Sequence, residues 1–261
     1  MSTTSPVVYE QNAGIAQLTL SRPEVLNAVS PEVLHDLSQH LEQIRTDASI
    51  AAVIITGAGQ LAFSAGADIR YLNQASPLAV REFAGMAVRV TNQIETLGKP
   101  VVAALNGHTL GGGLEIAEAC AIRIVVRDAM LGHPEVKIGA VAGFGGTTRL
   151  ARLIGRGRAA EMLLRGRAVS AEEALAIGLV HAVVEPAKLM EEAQAFVADI
   201  LALSPTAVRL TWEALHRGLD MSIDESARLG ADYFGLVAAS EDFRIGTAAF
   251  LLKQPPKFLN R

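Results

Sequence analysis

Cysteine, charge of one sign and long hydrophobic runs are scarce in this sequence, and each absence narrows the possible functions. The single cysteine, Cys120, excludes an intrachain disulfide and is most simply a small buried apolar residue. A net charge of −4 without long runs of one sign offers no electrostatic footprint for nucleic acid or an anionic membrane. No apolar stretch reaches the roughly 20 residues that span a bilayer. Residues 1–8 lack the features of a signal peptide, so we expect a cytoplasmic protein with no nucleic-acid and no membrane partner.

The composition is that of a globular chain. Half of the 261 residues are apolar and 19% are charged, which separates the sequence from disordered proteins. A chain of this length buries enough surface to fold without a disulfide or a structural metal. Because no cysteine and histidine residues cluster at the spacing of metal ligands, we expect no metal site.

Short apolar strands and helices alternate as far as residue 185. Strands are predicted at Val7–Tyr9, Ile15–Leu20, Ala51–Thr56, Val101–Leu105, Ile122–Val126 and Leu179–Val184, with helices after Ser30, at Pro77–Leu97, at Leu114–Ala121 and from Thr147. Residues 131–144 have no periodic pattern, and Ser170 with Glu173 forms a capping-box pattern. From Pro186 the pattern is wholly helical, suited to packing on its own core or on a partner subunit. We therefore predict two regions, 1–185 and 186–261, and periodicity alone favours a doubly wound α/β sheet.

Two glycine-containing loops are candidates for binding a negative charge. Gly111–Gly113 lies between a predicted strand and a predicted helix, where backbone N–H groups can approach a ligand at a helix N-terminus. Ser64–Asp68 is a second loop of small residues after an apolar stretch. Two such loops can together supply the two N–H donors of an oxyanion hole. Each loop alone is equally compatible with a tight, closely packed turn.

Two glutamates are candidates for acid–base chemistry. Glu115 lies in the apolar run Leu114–Ala117, where a charge is costly unless it is solvated, paired or functional. Its alternative role is to complement the helix dipole. Glu135 follows Pro134 in the irregular segment and is otherwise an ordinary surface acid. If both face one cleft, they form a general acid/base pair.

The order of several motifs resembles the enoyl-CoA hydratase/isomerase (crotonase) family over nearly the whole chain. The motifs are Lys99–Glu115, Phe63–Ile69, Arg22-Pro23 with Leu26–Ala28, Pro134-Glu135 with Gly143 to Leu150, and Ser240–Phe258. The resemblance implies an α/β fold built as a crotonase-type spiral of ββα turns over residues 1–185, in place of a doubly wound sheet. It also implies that residues 186–261 form a helical trimerisation region, and hence a homotrimer or homohexamer.

The resemblance also implies roles for individual residues. Ala67 and Gly112 correspond to the two backbone donors of the oxyanion hole, and Glu115 and Glu135 to the two catalytic acids. The expected substrate-binding residues, which contact CoA in the family, are Leu26, Ala65, Asp68, Ile69 and Arg70, with Arg70 placed to reach a CoA phosphate.

These residues predict an enoyl-CoA hydratase, a hydro-lyase that adds water to a trans-2-enoyl-CoA and yields a 3-hydroxyacyl-CoA. Glu135 is expected to protonate C2 while Glu115 positions and activates water, the two acting as a coupled pair. No cofactor is expected, because CoA arrives as part of the acyl-CoA thioester substrate. The alternatives are a Δ3–Δ2 enoyl-CoA isomerase, which needs one base, and a non-catalytic acyl-CoA binding module, which would predict the loss of an acid.

Four positions depart from the commonest family pattern. Leu131 and His133 stand where an aromatic residue and a glutamine are common, Ala142 where proline is frequent, and Ala121 where aspartate is common. Three roles are open for His133: a bystander, a hydrogen-bond donor to the acid pair, or a titrating modulator. The residues Leu72, Phe83, Met86 and Ala87 are candidates both for the acyl pocket and for the ordinary core.

Overall fold

A computed structural model describes residues 5–259 and divides the chain into two compact units. The first unit extends to Gln194 and contains every strand found between residues 5 and 259. Those strands are β1 (Val7–Asn12), β2 (Ile15–Leu20), β3 (Ala52–Gly57), β4 (Ala62–Ser64), β5 (Val101–Leu105), β6 (His108–Leu110), β7 (Ile122–Val126), β8 (Met130–Gly132), β9 (Ala168–Ser170) and β10 (Ala182–Val184).

The strands form two sheets, and the chain alternates between them from β3 to β8. The larger sheet has the order β1-β2-β3-β5-β7-β10, and the smaller has the order β4-β6-β8-β9. Pairing is parallel from β2 to β10 and from β4 to β8, whereas β1–β2 and β8–β9 are antiparallel. The pairs β3–β4, β5–β6 and β7–β8 each add one strand to each sheet before the helices that follow, so these ββα turns stack as a spiral. The prediction of this spiral is confirmed, and the doubly wound sheet that periodicity alone favours is wrong.

Helices cover the strands and complete the chain. In the first unit they are α1 (Pro31–Thr46), α2 (Ile69–Gln74), α3 (Pro77–Glu95), α4 (Gly112–Ala119), α5 (Gly146–Ile154), α6 (Arg156–Arg165) and α7 (Ala171–Ala176), and α8 (Leu189–Leu201) follows. Short 3-10 helices occupy Pro23–Val25, Glu135–Ile138 and Pro186–Lys188. Helix α1 packs on β1, β2 and α3, and its buried face consists of Val33, Leu34, Leu37, Leu41 and Ile44. Ser30 and Pro31 begin it as predicted, because the Ser30 hydroxyl accepts a hydrogen bond from the Val33 N–H.

Two asparagines hold the turn between β3 and β4. The amides of Asn27 and Asn106 both donate to the Ala62 carbonyl, at 2.8 Å and 3.3 Å. Asn27 is buried with a left-handed φ of 55°, a conformation that asparagine adopts more readily than most residues. These bonds fix β4 beside the N-terminal segment around Leu26.

Helix α4 lies at the centre of the first unit, and all eight of its residues are buried. The buried guanidinium of Arg123 on β7 donates to the carbonyls of Ala117 and Cys120 at its C-terminal end. A cation at this end satisfies carbonyls that have no partner within the helix and complements the helix dipole. The N-terminal end of α4 is therefore the end that remains available for a ligand.

The second unit begins at Ala195 and is helical throughout its described part. Its helices after α8 are α9 (Pro205–Gly218), α10 (Ile223–Ala238) and α11 (Glu241–Leu251). The Ser204 hydroxyl bonds the buried Asp242 carboxylate at 2.9 Å, and Asp242 also accepts the N–H of Leu259. Several large apolar side chains of this unit are exposed, including Phe234, Phe250 and Leu251.

Three details differ from the periodicity-based predictions. The short strands β4, β6, β8 and β9 were not predicted, and Leu131, placed in the irregular segment, belongs to β8. Ser170 accepts the Glu173 N–H, but the Glu173 carboxylate pairs with Arg167 instead of completing a capping box.

No single helix within residues 5–259 is long and apolar enough to cross a membrane. The bent helix pair Pro186–Leu201 and Pro205–Gly218 is long and apolar enough when its two helices are taken together.

Candidate active site

Helix α4 begins in a crowded backbone junction. Gly111, immediately before the helix, has φ 49° and ψ −127°, a conformation that glycine tolerates without a side-chain clash. A Cβ on Gly112 would lie 2.4 Å from the Phe144 ring, and one on Gly113 would lie 2.6 Å from Ser64. The three glycines therefore serve both close packing and the approach of other groups to the N-terminus of α4.

The loop Ser64–Asp68 lies against this N-terminus. A Cβ on Gly66 would lie 3.0 Å from the Leu110 carbonyl and 3.4 Å from the Gly112 nitrogen. The loop is held by Leu26 and Val29, because Ala65 N–H donates to Leu26 and Gly66 carbonyl accepts from Val29. Within residues 5–259, neither the N–H of Ala67 nor that of Gly112 donates to another protein group. The structure thus brings the two predicted donors to one place, with both N–H groups free.

Glu115 stands one turn into α4 and is 1% exposed. Its Oε1 accepts hydrogen bonds from the N–H groups of Phe144 and Gly146, each at 2.7 Å. Burial raises the pKa of Glu115 to about 7, against the lowering effects of the Gly146 N–H and of the charge on His133. A carboxyl group with this pKa is able to exchange a proton near neutral pH.

Glu135, the second predicted acid, opens the 3-10 helix after β8. A Cβ on Gly111 would lie 2.9 Å from Glu135 Oε1, so this carboxyl group lies against the start of α4. Its side chain is 14% exposed, and neither of its buried oxygens has a hydrogen-bond partner among the described residues. Glu115 and Glu135 therefore both lie near the N-terminal end of α4.

A third glutamate and a histidine lie directly behind the acid pair. His133 Nε2 is 2.8 Å from Glu118 Oε1, and both side chains are fully buried. His133 Nδ1 is 3.6 Å from Glu135 Oε1. Burial by itself lowers the pKa of His133, but the hydrogen bond and charge of Glu118, followed by those of Glu135, raise it to about 10.

The predicted CoA-contact residues lie in the loop Ser64–Asp68, at the start of α2 and in the segment around Leu26 that bonds this loop. Leu26, Ile69 and Arg70 are exposed, and Leu26 is joined to the oxyanion loop through Ala65. Asp68 caps α2 and forms an ion pair of 3.0 Å with Arg22, which also donates to the Ala28 carbonyl. Asp68 is therefore engaged in fixing the loop, while Arg70 is directed to the surface.

The candidate pocket residues separate into two groups. Phe83 is buried and packs edge-on against Phe144 at 5.3 Å, and Phe144 in turn covers Gly112. Phe83 thus reaches the site through one intervening ring. Met86 instead lines a cleft of about 420 Å³ with residues of α1 such as Leu34 and Ser38.

The sequence is similar to those of known enoyl-CoA hydratases. The sequence matches the enoyl-CoA hydratase/isomerase family over residues 10–261. It is 40% identical over 248 residues to the short-chain-enoyl-CoA hydratase of Clostridium acetobutylicum, with 95% of each chain covered. It is 38% identical over 255 residues to the crotonyl-CoA hydratase of Syntrophomonas wolfei, with 98% of each covered. The chain belongs to the enoyl-CoA hydratase/isomerase family.

The structures of known members of the enoyl-CoA hydratase/isomerase family are equally close. The crystal structure of the enoyl-CoA hydratase from Bacillus anthracis has a TM-score of 0.94 at 35% identity, covering 98% of this chain and 100% of that one. Because the similarity extends over whole chains, the protein is an enzyme of the enoyl-CoA hydratase/isomerase family with the crotonase fold.

One site residue was absent from the sequence predictions. Glu118 follows Glu115 by one turn, so both carboxylates lie on the same face of α4. The available signal was a second charge in an apolar helix, in the run Ile116 to Ala119. His133 was singled out, but its pairing with Glu118 depends on the placement of β8 beside α4.

Proposed function

We propose that this protein hydrates a trans-2-enoyl-CoA to a 3-hydroxyacyl-CoA. The observation that carries the proposal is that Glu115 and Glu135 both lie near the α4 N-terminus, where the N–H groups of Ala67 and Gly112 are free. The family membership and the hydratase names of similar proteins support the same reaction.

The two N–H groups act on the thioester oxygen. When water attacks C3 of the conjugated enoyl group, negative charge moves onto that oxygen. Ala67 and Gly112 donate hydrogen bonds to it, and the N-terminal end of α4 adds a favourable dipole. Because these donors are already oriented, little reorganisation accompanies the charge transfer.

The two carboxyl groups move the protons. Glu115, held by two backbone N–H groups, positions the water and accepts its proton as the oxygen bonds to C3. Glu135 delivers a proton to C2, which completes the addition of H and OH. The reaction leaves the proton on Glu115, so Glu135 regains one by exchange within the pair before the next turnover.

The residues next to the oxyanion donors form the binding surface for the CoA portion of the substrate. Leu26, Ala65, Ile69 and Arg70 lie along the loops that carry the oxyanion donors, with Arg70 available to a phosphate. Asp68 contributes indirectly by holding Arg22 and the start of α2. CoA is thus part of the substrate in this proposal, and the reaction draws on no separate cofactor.

A spectrophotometric assay with crotonyl-CoA tests the proposal. We expect loss of the conjugated enoyl-thioester absorbance and a product heavier by one water. A 3-enoyl-CoA is the matched second substrate. A rise in conjugated absorbance without a change in mass would identify an isomerase, and the absence of either reaction across enoyl-CoAs of several acyl types would contradict a hydratase.

A further inference from the structure

A buried chain of charged groups extends from the acid pair into the protein. Glu118 Oε1 lies 2.8 Å from His133 Nε2, and His133 Nδ1 lies 3.6 Å from Glu135 Oε1. The imidazole therefore stands between two carboxylates, one fully enclosed and one at the reaction site. A Cβ on Gly146 would lie 2.9 Å from both His133 Cε1 and Glu115 Cγ, so the imidazole also borders the second acid.

Several buried polar atoms of Glu118, His133 and Glu135 have no hydrogen-bond partner among the described residues. Glu118 Oε2, His133 Nδ1 and both oxygens of Glu135 are buried without a hydrogen-bond partner among the described residues. Buried polar atoms in folded proteins nearly always have a partner, so exceptions invite a functional explanation. The separation of 3.6 Å between Nδ1 and Glu135 is of the kind that shortens when substrate completes an active site.

Stability is a weak explanation for this arrangement. A buried ion pair often contributes no more to folding than well-packed apolar residues of the same volume, because both charges lose their hydration. His133, the partner of Glu118, also borders both acids that carry out the proposed reaction.

We propose that Glu118 and His133 are positioning residues for the acid pair. Glu118 keeps the imidazole protonated, and the Nδ1–H of His133 donates to Oε1 of Glu135, so that Oε2 carries the proton toward C2. The inference rests on the proposed hydratase function. The positive imidazole has a second effect, because its charge favours the ionised form of Glu115, the form that accepts the proton from water.

The surrounding charges agree with a protonated imidazole. Glu115 and Glu118 of α4 and Glu135 after β8 all face His133 with negative or ionisable oxygens. The nearest buried cation is Arg123 on β7, whose charge acts on Glu118, and its guanidinium is engaged with backbone carbonyls. Helix α5 contributes the Gly146 backbone, and its Arg149 is paired with Glu95.

The charge of His133 can be measured without any substrate. In a protein labelled with ¹⁵N-histidine, His133→Gln identifies the His133 signals among those of six histidines. We expect both nitrogens of His133 to stay protonated between about pH 6 and about pH 9, and we expect Glu118→Gln to make the imidazole titrate within that range. A neutral imidazole in the wild-type protein at neutral pH would overturn the inference.

Kinetics test the positioning role. We expect His133→Gln to lower kcat about 10- to 100-fold with KM changed less than about twofold, because Glu135 loses its orientation. The acidic limb of kcat/KM should move upward by about 1 pH unit, since Glu115 loses the cation that favours its ionised form. Adding Glu118→Gln to His133→Gln should change kcat by less than about twofold, because Glu118 acts through the imidazole.

The controls separate this inference from the proposed function. His35→Gln replaces an exposed histidine of α1 and should leave rate and pH profile unchanged. A wild-type protein that hydrates no enoyl-CoA would contradict the proposed function, while the ¹⁵N titration would still decide the charge of His133. An active wild-type enzyme whose His133→Gln variant keeps the same kcat and pH profile would overturn the positioning role alone.

Discussion

At the scale of single residues, the protonation of Glu115 determines the pH range of the proposed reaction. Burial raises the pKa of Glu115 to about 7, and the residue acts in its ionised form when it accepts the proton from water. Protonation below that pKa removes the base, so kcat/KM should fall about tenfold per pH unit on the acidic side of about pH 7. A pH profile with crotonyl-CoA measures this, and a flat profile from about pH 5 to about pH 8 would contradict the role of Glu115.

Gly146 provides a test of how closely Glu115 is held. An alanine Cβ there would lie 2.9 Å from Glu115 Cγ and from His133 Cε1, so both side chains must shift. We expect Gly146→Ala to lower kcat roughly 100-fold, because small displacements of catalytic groups are costly. The matched control is Gly157→Ala in the first turn of α6, where a Cβ meets nothing within 4 Å. Equal effects of the two substitutions would argue against a site defined by the packing around Glu115.

What the sequence predicts at this scale depends on whether a residue acts locally or through a distant neighbour. Glu115 and Glu135 were predicted from an unusual charge in an apolar helix and from a family motif. Glu118 was not, because its partner His133 lies 15 residues away and meets it only when Gly132, at the end of β8, bonds to Gly111 before α4. The charge in an apolar helix signals that Glu118 is unusual, but the identity of its partner is a property of the folded chain and has no signature at one position.

At the scale of elements, the N-terminus of α4 is expected to stabilise the transition state through a single backbone N–H. Replacing Gly112 by glycolic acid exchanges that N–H for an ester oxygen and adds no Cβ, which would otherwise strike Phe144. We expect kcat to fall about 100- to 1,000-fold, the usual cost of losing one oxyanion donor.

Glycolic acid in place of Gly157 is the control for this exchange. It removes the N–H of a glycine in the first turn of α6, far in sequence from the acid pair, and should leave kcat unchanged. If the Gly112 ester kept the wild-type kcat in a folded protein, the oxyanion role of α4 would be refuted.

Elements were predictable in proportion to their length. The longer strands β2, β3, β5 and β7 and the helices α1 and α3 match predicted segments, and helical periodicity with a capping serine predicted α1. The strands of the smaller sheet contain three residues each, too few for a two-residue period to be distinguished from a loop. Without them the alternation between sheets was invisible, which is why periodicity alone favoured one doubly wound sheet.

At the scale of the whole molecule, large apolar side chains of the second unit are exposed, and contact with another subunit would bury them. Phe250 and Leu251 are 83% and 81% exposed, and Phe234 is 67% exposed. Large exposed apolar residues in one region are typical of subunit contacts. The predicted homotrimer or homohexamer would supply that cover. Native mass spectrometry at micromolar concentration should give three or six times the chain mass, and a single-chain mass across that range would contradict the prediction.

The Glu135→Gln variant tests the central claim most directly. Its amide keeps the size of the side chain and removes the proton that the account assigns to C2. We predict that hydration of crotonyl-CoA falls by about 100- to 10,000-fold, the usual contribution of a general acid, while calorimetry shows that binding of the 3-hydroxybutyryl-CoA product persists. A folded Glu135→Gln enzyme that hydrates crotonyl-CoA near the wild-type rate would show that the proton comes from elsewhere and would contradict the account.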